Sequence, residues 1–472
     1  MKNKIIYKYL GKVLITFSIL LLIPMFISLI YKESLIPFVI PAIISLILGI
    51  LLNRIKPKNK FLYAKDGFII VALSWVIISI LSALPYVVNN DTNFVNALFE
   101  AVSGLTTTGA TIFKDVEILN KSILFWRSFT VYIGGMGVLA FVMAVIPLSQ
   151  HDKSMHVLKA EMPGPSVSKL VPSIKKTLFY LFGIYIVLTL IEIVLLCIGG
   201  LSIYDSSLIS FATAGTGGFT QFNAGLANVG SFNQWVITIM MFLFGVNFNI
   251  YFLMLMKEFK SIFKSEELKT YFLICLVAVA FILANTWHMF SSFAEALRQS
   301  AFHISSIVTS TGFGIGDVNI YPTSCRIICL ILMLVSACAG STCGGFKISR
   351  LLICLKSIGR DIIKTFKPNS IKNIKFESKK VDEDTITSVR SFLFLYIIIL
   401  VSLIFIISYD GLSLETTINA AFTTFANNGI AFGISSFGGF SNLSKLAMTA
   451  GMLLGRLEIY PLLILFSKIQ SK

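Results

Sequence analysis

The chain has 472 residues, of which 56% are hydrophobic and only 13% charged, and its mean hydropathy is +0.85. No soluble arrangement of one or two domains could hide that much apolar surface, so the composition excludes a soluble protein and points into lipid. The formal charge of +16 raises the question of a nucleic-acid partner, and the placement of the basic residues answers it.

The first apolar run is long and a second soon follows, unlike the short apolar core and small-residue cleavage site of a secretory signal, so the N-terminus is expected to be retained. A spanning helix needs about 20 mostly apolar residues. Ten segments qualify when a broken one is counted: residues 13–31, 36–53, 67–88, 123–148, 177–199, 234–256, 270–286, 325–357, 391–409 and 445–467. Ten crossings leave both termini on one side. Loops assigned to that side, chiefly 54–66, 150–176 and 347–390, hold 31 of the 39 Lys and Arg; seven of the rest fall on the other side and Arg456 lies inside the last helix. The positive-inside rule then makes both termini cytoplasmic in a multi-pass protein of the cell membrane. The basic excess reports topology, and no nucleic acid is needed to explain it.

After the first two helices the outer loops share one form: a semi-polar stretch of about a dozen helix-like residues, then a tail rich in Gly and Thr. They read NFVNALFEAVSGLTTTGATIF, YDSSLISFATAGTGGFTQFN, FAEALRQSAFHISSIVTSTGFGIGD and LETTINAAFTTFANNGIAFG, and they superpose Gly109, Gly217, Gly312 and Gly429. Each interval has room for one helix in, one out and a connection. The expected architecture is therefore an all-α polytopic membrane protein. An N-terminal two-helix region (1–66) precedes four pseudo-symmetric helix, pore loop, helix repeats (67–149, 150–256, 257–380 and 381–472) around a central pore.

A dozen residues cannot cross a bilayer, and backbone that dips into the apolar zone must line a watery cavity. A potassium ion sheds its water only where several oxygens replace it together, which backbone carbonyls do when successive residues aim them at one axis. Glycine permits the unusual backbone angles required, and Thr adds a hydroxyl acceptor. One such turn supplies a quarter of a ring, and the short helix before it can aim its C-terminal end at the cation. The alternative is that these small residues serve close helix packing, as they do widely in membrane proteins.

Two further features carry a physical reading. In the eighth span the apolar arm from Ile327 to Ala337 is too short to cross, and it runs into Gly340, Ser341, Thr342, Cys343, Gly344, Gly345 and Lys347. A polar, glycine-rich break at mid-membrane has to line protein or water, which would put it under the ring. Arg456 lies near the middle of the final span, where a charge faces the bundle interior or a water-filled path; its structural alternative is a buried partner such as Glu192 or Glu458.

With these residues on the page, the sequence resembles the Trk/Ktr/HKT superfamily of potassium transporters over almost its whole length. The matching motifs are SGLTTTGAT at 103–111, IGGMG at 133–137, EMPGP at 161–165, GTGGF at 215–219, TSTGF at 309–313, ACAGSTCGGFKISR at 337–350 and LLGRLE at 453–458. The resemblance implies a potassium-binding filter centred on Gly109, Gly217, Gly312 and Gly429, with carbonyls from Thr107 and Thr108, Gly215 and Thr216, Ser310 and Thr311, and Asn427 and Asn428. It also implies a gating loop at Gly340, Ser341, Thr342, Gly344, Gly345 and Lys347, with Arg456 beneath the filter. Cys343 departs from the glycine expected there in relatives. Gly109, where sodium-preferring relatives can carry serine, favours potassium. Two helices before the first repeat make the chain resemble the Trk type, whose membrane subunits form homodimers on a cytoplasmic nucleotide-binding regulatory subunit of Trk-A type.

No bound cofactor is expected, potassium being the transported ion. The seven cysteines (Cys197, Cys275, Cys325, Cys329, Cys338, Cys343, Cys354) have no disulfide or zinc spacing and read as small core residues. The four histidines show no metal-ligand spacing and no nucleotide-binding motif follows a predicted strand, so an enzyme has little to start from. A secondary transporter of another cation or small solute, with broken helices at mid-membrane, and a scaffold without a permeation path are the competing readings.

Overall fold

A computed structural model describes residues 4–56, 64–137, 174–370, 373–430 and 432–466 of the protein. Six of the described helices are long and apolar enough to cross a bilayer: Lys4–Ile30, Ile36–Asn53, Asp66–Val88, Phe179–Ile198, Glu266–Met289 and Glu383–Ser408. The first is α1 (Lys4–Leu20), which continues past Leu21 into α2 (Leu22–Ile30), so this span starts well before the apolar run at residue 13. It packs on α3 (Ile36–Asn53). Gly11 and Gly49 bring the two backbones together, since a Cβ on Gly11 would stand 2.7 Å from the Gly49 carbonyl oxygen, and Ser45 donates to the Leu14 carbonyl at 2.7 Å. Small residues and a buried hydroxyl are how helices associate where lipid removes the hydrophobic drive.

Four units of one plan follow. In the first, α4 (Ala64–Val88) enters, α5 (Phe94–Leu105) is the short helix and α6 (Lys121–Met136) returns. The second is α7 (Ile174–Ile198), α8 (Ile203–Gly215) and the pair α9 (Ser231–Phe244) and α10 (Phe248–Leu255). After the short α11 (Phe259–Lys264), the third is α12 (Glu266–Thr286), α13 (Phe293–Val308), α14 (Thr323–Val335) and α15 (Ile348–Phe366). A two-residue hairpin turn joins β1 (Lys375–Phe376) to β2 (Lys379–Lys380), and the fourth unit is α16 (Glu383–Ser408), α17 (Leu414–Phe425), α18 (Asn442–Arg456) and α19 (Tyr460–Phe466).

The four short helices start alike. Asn93, Ser202, Ser292 and Ser413 each accept, through the side chain, the amide of the residue three further on, the N-cap that an Asn or Ser before an apolar run encodes. Each return helix packs on the short helix of the next unit: α6 on α8, α9 on α13, α14 on α17, and α18 back on α5. The packing is thus a closed cycle of four. Glu33, between α2 and α3, ties the N-terminal pair to it by accepting the amides of Lys121 and Ser122 at 2.7 and 2.9 Å, a carboxylate at the positive end of α6.

The return spans differ from expectation. The sixth, read as unbroken over 234–256, bends by 89° between α9 and α10, where the Asn247 side chain caps α10 through the Asn249 amide. The tenth, read as unbroken over 445–467, stops at Arg456 and resumes at Tyr460, with Glu458 and Ile459 at φ +55° and +65°. Apolar length alone did not reveal either break: Val246 and Phe248 flank the first, and the second has Arg456 and Glu458 as its charges among apolar neighbours. The eighth breaks as expected, between α14 and α15. Most of the basic stretch from Arg350 to Lys380 is structured, as α15 and the hairpin. The part of the fourth span beyond residue 137, the EMPGP stretch at 161–165 and nearly all of the loop 150–176 lie outside the described residues.

At the hairpin turn, Glu377 accepts from Ser265 Oγ at 2.8 Å and from the Glu267 amide at 3.0 Å, so a surface turn caps the start of α12. Six of the seven cysteines are buried and Cys197 half-buried, all as free thiols. Gly49→Leu should push α1 and α3 apart and lower the melting temperature of the detergent-solubilised protein by several degrees, an overpacking cost of about 1–3 kcal/mol; an unchanged melting curve would contradict the close packing.

Candidate functional site

Each short helix ends in a bend built the same way. Its first residue lies in the left-handed region: Thr107 at φ +57°, Thr216 at +56°, Ser310 at +51° and Asn427 at +54°. The amide of the next residue turns back to a carbonyl of the helix: Thr108 to Ser103 at 2.8 Å, Gly217 to Ala212 at 2.9 Å, Thr311 to Ser306 at 2.8 Å and Asn428 to Thr423 at 2.9 Å. The last turn's carbonyls find partners, as helix ends require; in the second bend the Gly217 carbonyl also accepts the Phe219 amide at 2.8 Å.

This pattern moves one residue. The sequence superposes Gly217 on Gly109, but the hydrogen bonds and the φ of Thr216 put Thr216 level with Thr107 and Gly217 level with Thr108, so Gly218 is the counterpart by position of Gly109, Gly312 and Gly429, without their left-handed φ of +79°, +86° and +85°. GTGGF offers two adjacent glycines and no side chain to choose between them. Of the filter residues expected in this unit, Gly215 is the last of α8, Thr216 and Gly217 form the bend, and Gly218, absent from that set, joins them.

The four glycines close a ring. A Cβ on Gly109 would lie 2.6 Å from the Gly218 amide nitrogen; on Gly218, 2.6 Å from the Thr311 oxygen; on Gly312, 2.2 Å from the Asn428 oxygen; and on Gly429, 2.2 Å from the Thr108 oxygen. Gly218, Gly312 and Gly429 thus each abut the carbonyl before the next unit's glycine, and Gly109 abuts the peptide that joins Gly217 to Gly218, approaches only glycine permits. Thr107, Thr108, Thr216, Ser310, Thr311, Asn427 and Asn428 are all buried. Side chains also cross between units: Asn427 Nδ2 donates to Thr108 Oγ1 at 3.0 Å and Asn428 Nδ2 to the Ile307 carbonyl at 2.7 Å. Thr107 Oγ1 and the side-chain oxygens of Asn427 and Asn428 are buried without a hydrogen bond in the protein. On one side of the ring lies a cavity of about 570 Å³, lined by Gly109, Gly218, Gly312 and Ile430 among others, so that all four units contribute.

The break of the eighth span lies against the bends. The Gly344 amide donates to Ser310 Oγ at 2.7 Å, and a Cβ on Gly344 would stand 2.4 Å from the Ala426 oxygen. Its backbone is pinned from several sides: Cys338 N–H to the Gly245 carbonyl at 3.2 Å, Phe248 N–H to the Gly340 carbonyl at 3.0 Å, and Ala339 N–H to Glu267 Oε1 at 2.7 Å. Ser341 Oγ donates to the Cys338 carbonyl and Lys347 Nζ to that of Cys343. Gly340, Gly345 and Lys347 have φ of +71°, +73° and +79°. The expected group of Gly340, Ser341, Thr342, Gly344, Gly345 and Lys347 therefore forms one compact segment.

Arg456 closes this segment onto the first unit. Nη1 donates to the Thr342 carbonyl at 2.8 Å and Nη2 to those of Gly134 and Gly135. It stands at the end of α18 rather than in the middle of an unbroken span. Glu458, weighed from sequence as its partner, forms an ion pair with Arg350, whose guanidinium stacks 4.3 Å over Phe392. The IGGMG glycines have a packing role as well, since a Cβ on Gly134 would strike Leu105 at the end of α5 and one on Gly135 would strike Gly215 at the end of α8.

Sequence reasoning missed Glu100 and Arg127. It counted Arg127 with the outer loops, yet Arg127 and Glu100 form an ion pair at 2.8 Å with 2% and 0% of their side chains exposed. The signal was available: an acid and a base within apolar segments require a buried reason.

The TrkH family model, described as a cation transport protein, matches residues 37–472. The chain is 32% identical to the Trk system potassium uptake protein TrkG of Escherichia coli (strain K12), over 96% of this chain and 95% of the relative. It is 29% identical to the Trk system potassium uptake protein TrkH of the same strain, over 99% of each. The fold is similar to that of the crystal structure of the potassium transporter TrkH from Vibrio parahaemolyticus, with a TM-score of 0.88, 26% identity and 98% of each chain covered. Removing the guanidinium should loosen the segment it clamps. Arg456→Ala is expected to raise the reaction rate of buried Cys343 with a small thiol reagent several-fold, an increase that Cys343→Ser abolishes; an equal rate in both backgrounds would show that Arg456 does not hold this segment.

Proposed function

The chain belongs to the TrkH family of cation transport proteins, and we propose that it carries potassium ions across the membrane through the ring of four bends, acting as a selectivity filter. The observation that carries this reading is the closed cycle of glycines, three of them abutting the carbonyl before the next and Gly109 the Gly217–Gly218 peptide. It gathers main-chain oxygens from four units of one polypeptide about one axis, the arrangement that can replace a potassium ion's hydration shell. The four short helices end at the bends, so their C-terminal ends, negative by alignment of peptide dipoles, favour a cation there. The expected filter residues Thr107, Thr108, Gly109, Thr216, Gly217, Ser310, Thr311, Gly312, Asn427, Asn428 and Gly429 keep their role, Gly215 supports the end of α8, and Gly218 is added as the fourth ring glycine. The buried oxygens of Thr107, Asn427 and Asn428 that lack protein partners supplement the carbonyls.

The segment 336–347 is the gate in this reading. It lies against the bends of the third and fourth units, and Arg456 sets a positive charge beside the path while fastening the segment to α6. Both termini are cytoplasmic, and the regulatory partner is a separate cytoplasmic nucleotide-binding subunit acting on the surface formed by α15 and the hairpin. The homodimer has an apolar surface to use: Leu355, Ile358, Ile362 and Phe366 form an exposed stripe on α15 at helical spacing.

A secondary transporter of a small solute is the alternative, and the breaks in the sixth, eighth and tenth spans favour it, since such proteins bind substrate at broken helices. Rubidium uptake into vesicles holding this chain alone decides between the two. Potassium is expected to compete with rubidium far better than sodium does, and Gly109→Ser to reduce that preference by about tenfold; equal competition by the two ions in the unmodified protein would end the potassium reading.

A further inference from the structure

Glu100 on α5 and Arg127 on α6 lie behind the first bend, and their contacts reach outward from it. Arg127 Nε donates to Glu100 Oε1 at 2.8 Å, Nη1 to the Thr220 carbonyl at 3.0 Å and Nη2 to Thr111 Oγ1 at 3.2 Å. The Glu100 carboxylate also accepts from Thr111 Oγ1 at 3.0 Å and from the Ile112 amide at 2.8 Å. The Arg127 guanidinium stacks over Phe219 at 4.3 Å. Thr111 and Thr220 each stand two residues beyond a ring glycine, Gly109 and Gly218. The strand at 111–112 also meets the fourth unit, where the Phe437 amide donates to the Thr111 carbonyl at 2.9 Å and Ser436 Oγ to that of Ile112 at 2.7 Å.

Packing does not demand these charges. The residues level with Glu100, seven before the left-handed residue of each bend, are Ile209, His303 and Ala420; those level with Arg127 on the return helices are Ile237, Cys329 and Met448. All six are buried. Three units therefore fill the same space with neutral side chains. Buried ion pairs add little stability over apolar residues of similar size, so stability alone does not account for a charged pair in one unit. What this pair has and the neutral ones lack is a set of directed bonds to the strands leaving two adjacent ring glycines.

We propose that Glu100 and Arg127 are positioning residues that set ion preference by fixing the strands after Gly109 and Gly218, and so the width of the ring between the first and second units. The inference rests on the reading of the ring as a selectivity filter. Arg127 makes three of the bonds and centres its charge on Phe219. Glu100 holds Arg127 in place, cancels its charge beside the outer cavity that Arg127 helps to line, and secures the Ile112 amide.

The test gives the first unit the solution the second already uses. Glu100→Ile combined with Arg127→Ile should fold, with a melting temperature close to that of the unmodified protein. In vesicles loaded with equal amounts of folded protein, its potassium over sodium preference, from competitive rubidium uptake, should fall by about tenfold. Glu100→Gln, which keeps an acceptor for the Ile112 amide, should fall by less, and it supplies the measurement if the double variant does not fold. An unchanged preference in whichever of these folds overturns the proposal, provided that Gly109→Ser lowers the preference in parallel. If Gly109→Ser also leaves it unchanged, it is the filter reading that has failed.

Discussion

Irregular backbone at membrane depth must find its hydrogen bonds inside the protein or in a watery cavity, and this requirement governs everything near the centre of the molecule. Four short helices give way to bends that meet one another at the four ring glycines. The bends are tolerable because each turns an amide back on its own helix and abuts the next bend. The cycle of return helices on neighbouring short helices holds the ring closed, and the glycines of IGGMG let α6 pass close enough to two short helices to do so.

Fourfold in plan, the ring is not fourfold in chemistry. Thr107 and Thr108, Thr216 and Gly217, Ser310 and Thr311, and Asn427 and Asn428 share a left-handed first residue and an amide turned back to the helix but carry different side chains, and the bonds from Asn427 to Thr108 and from Asn428 to Ile307 run from the fourth unit to both of its neighbours. Behind the ring, one unit carries an ion pair, one a histidine whose Nδ1 lies 2.8 Å from the Tyr321 hydroxyl, and two apolar contacts. A single chain can vary each quarter independently, as a tetramer of identical subunits cannot.

Most of this was legible in the sequence, because the signals were strong and local: apolar length for the entering helices, a semi-polar stretch for each short helix, and a glycine in each bend. What was not legible depended on three-dimensional register. GTGGF contains two glycines, and only the hydrogen bond from Gly217 to Ala212 selects Gly218 for the ring. The break near Asn247 falls in an apolar run, and the one at Glu458 follows Arg456, a charge already read as lying within the span, so length mistook two bent spans for straight ones. Arg127 looked like an outer basic residue because its carboxylate partner stands in another helix, 27 positions earlier. Arg456 was recognised as buried, yet the carbonyls it bonds come from two segments more than a hundred residues upstream.

The first turn of α12 joins two worlds. Its Ser265 hydroxyl and Glu267 amide are held by the carboxylate of Glu377 from the hairpin, while the side chain of that same Glu267 holds the amide of Ala339 in the buried break of the eighth span. One residue is thus grasped through its backbone from the surface and grips the interior through its carboxylate. A force that tugs the hairpin away from α12 strains the fulcrum on which the buried segment leans, and by reciprocity any displacement of that segment is felt at the hairpin. A stretch of three residues thus links the hairpin to the broken span, without any helix having to slide.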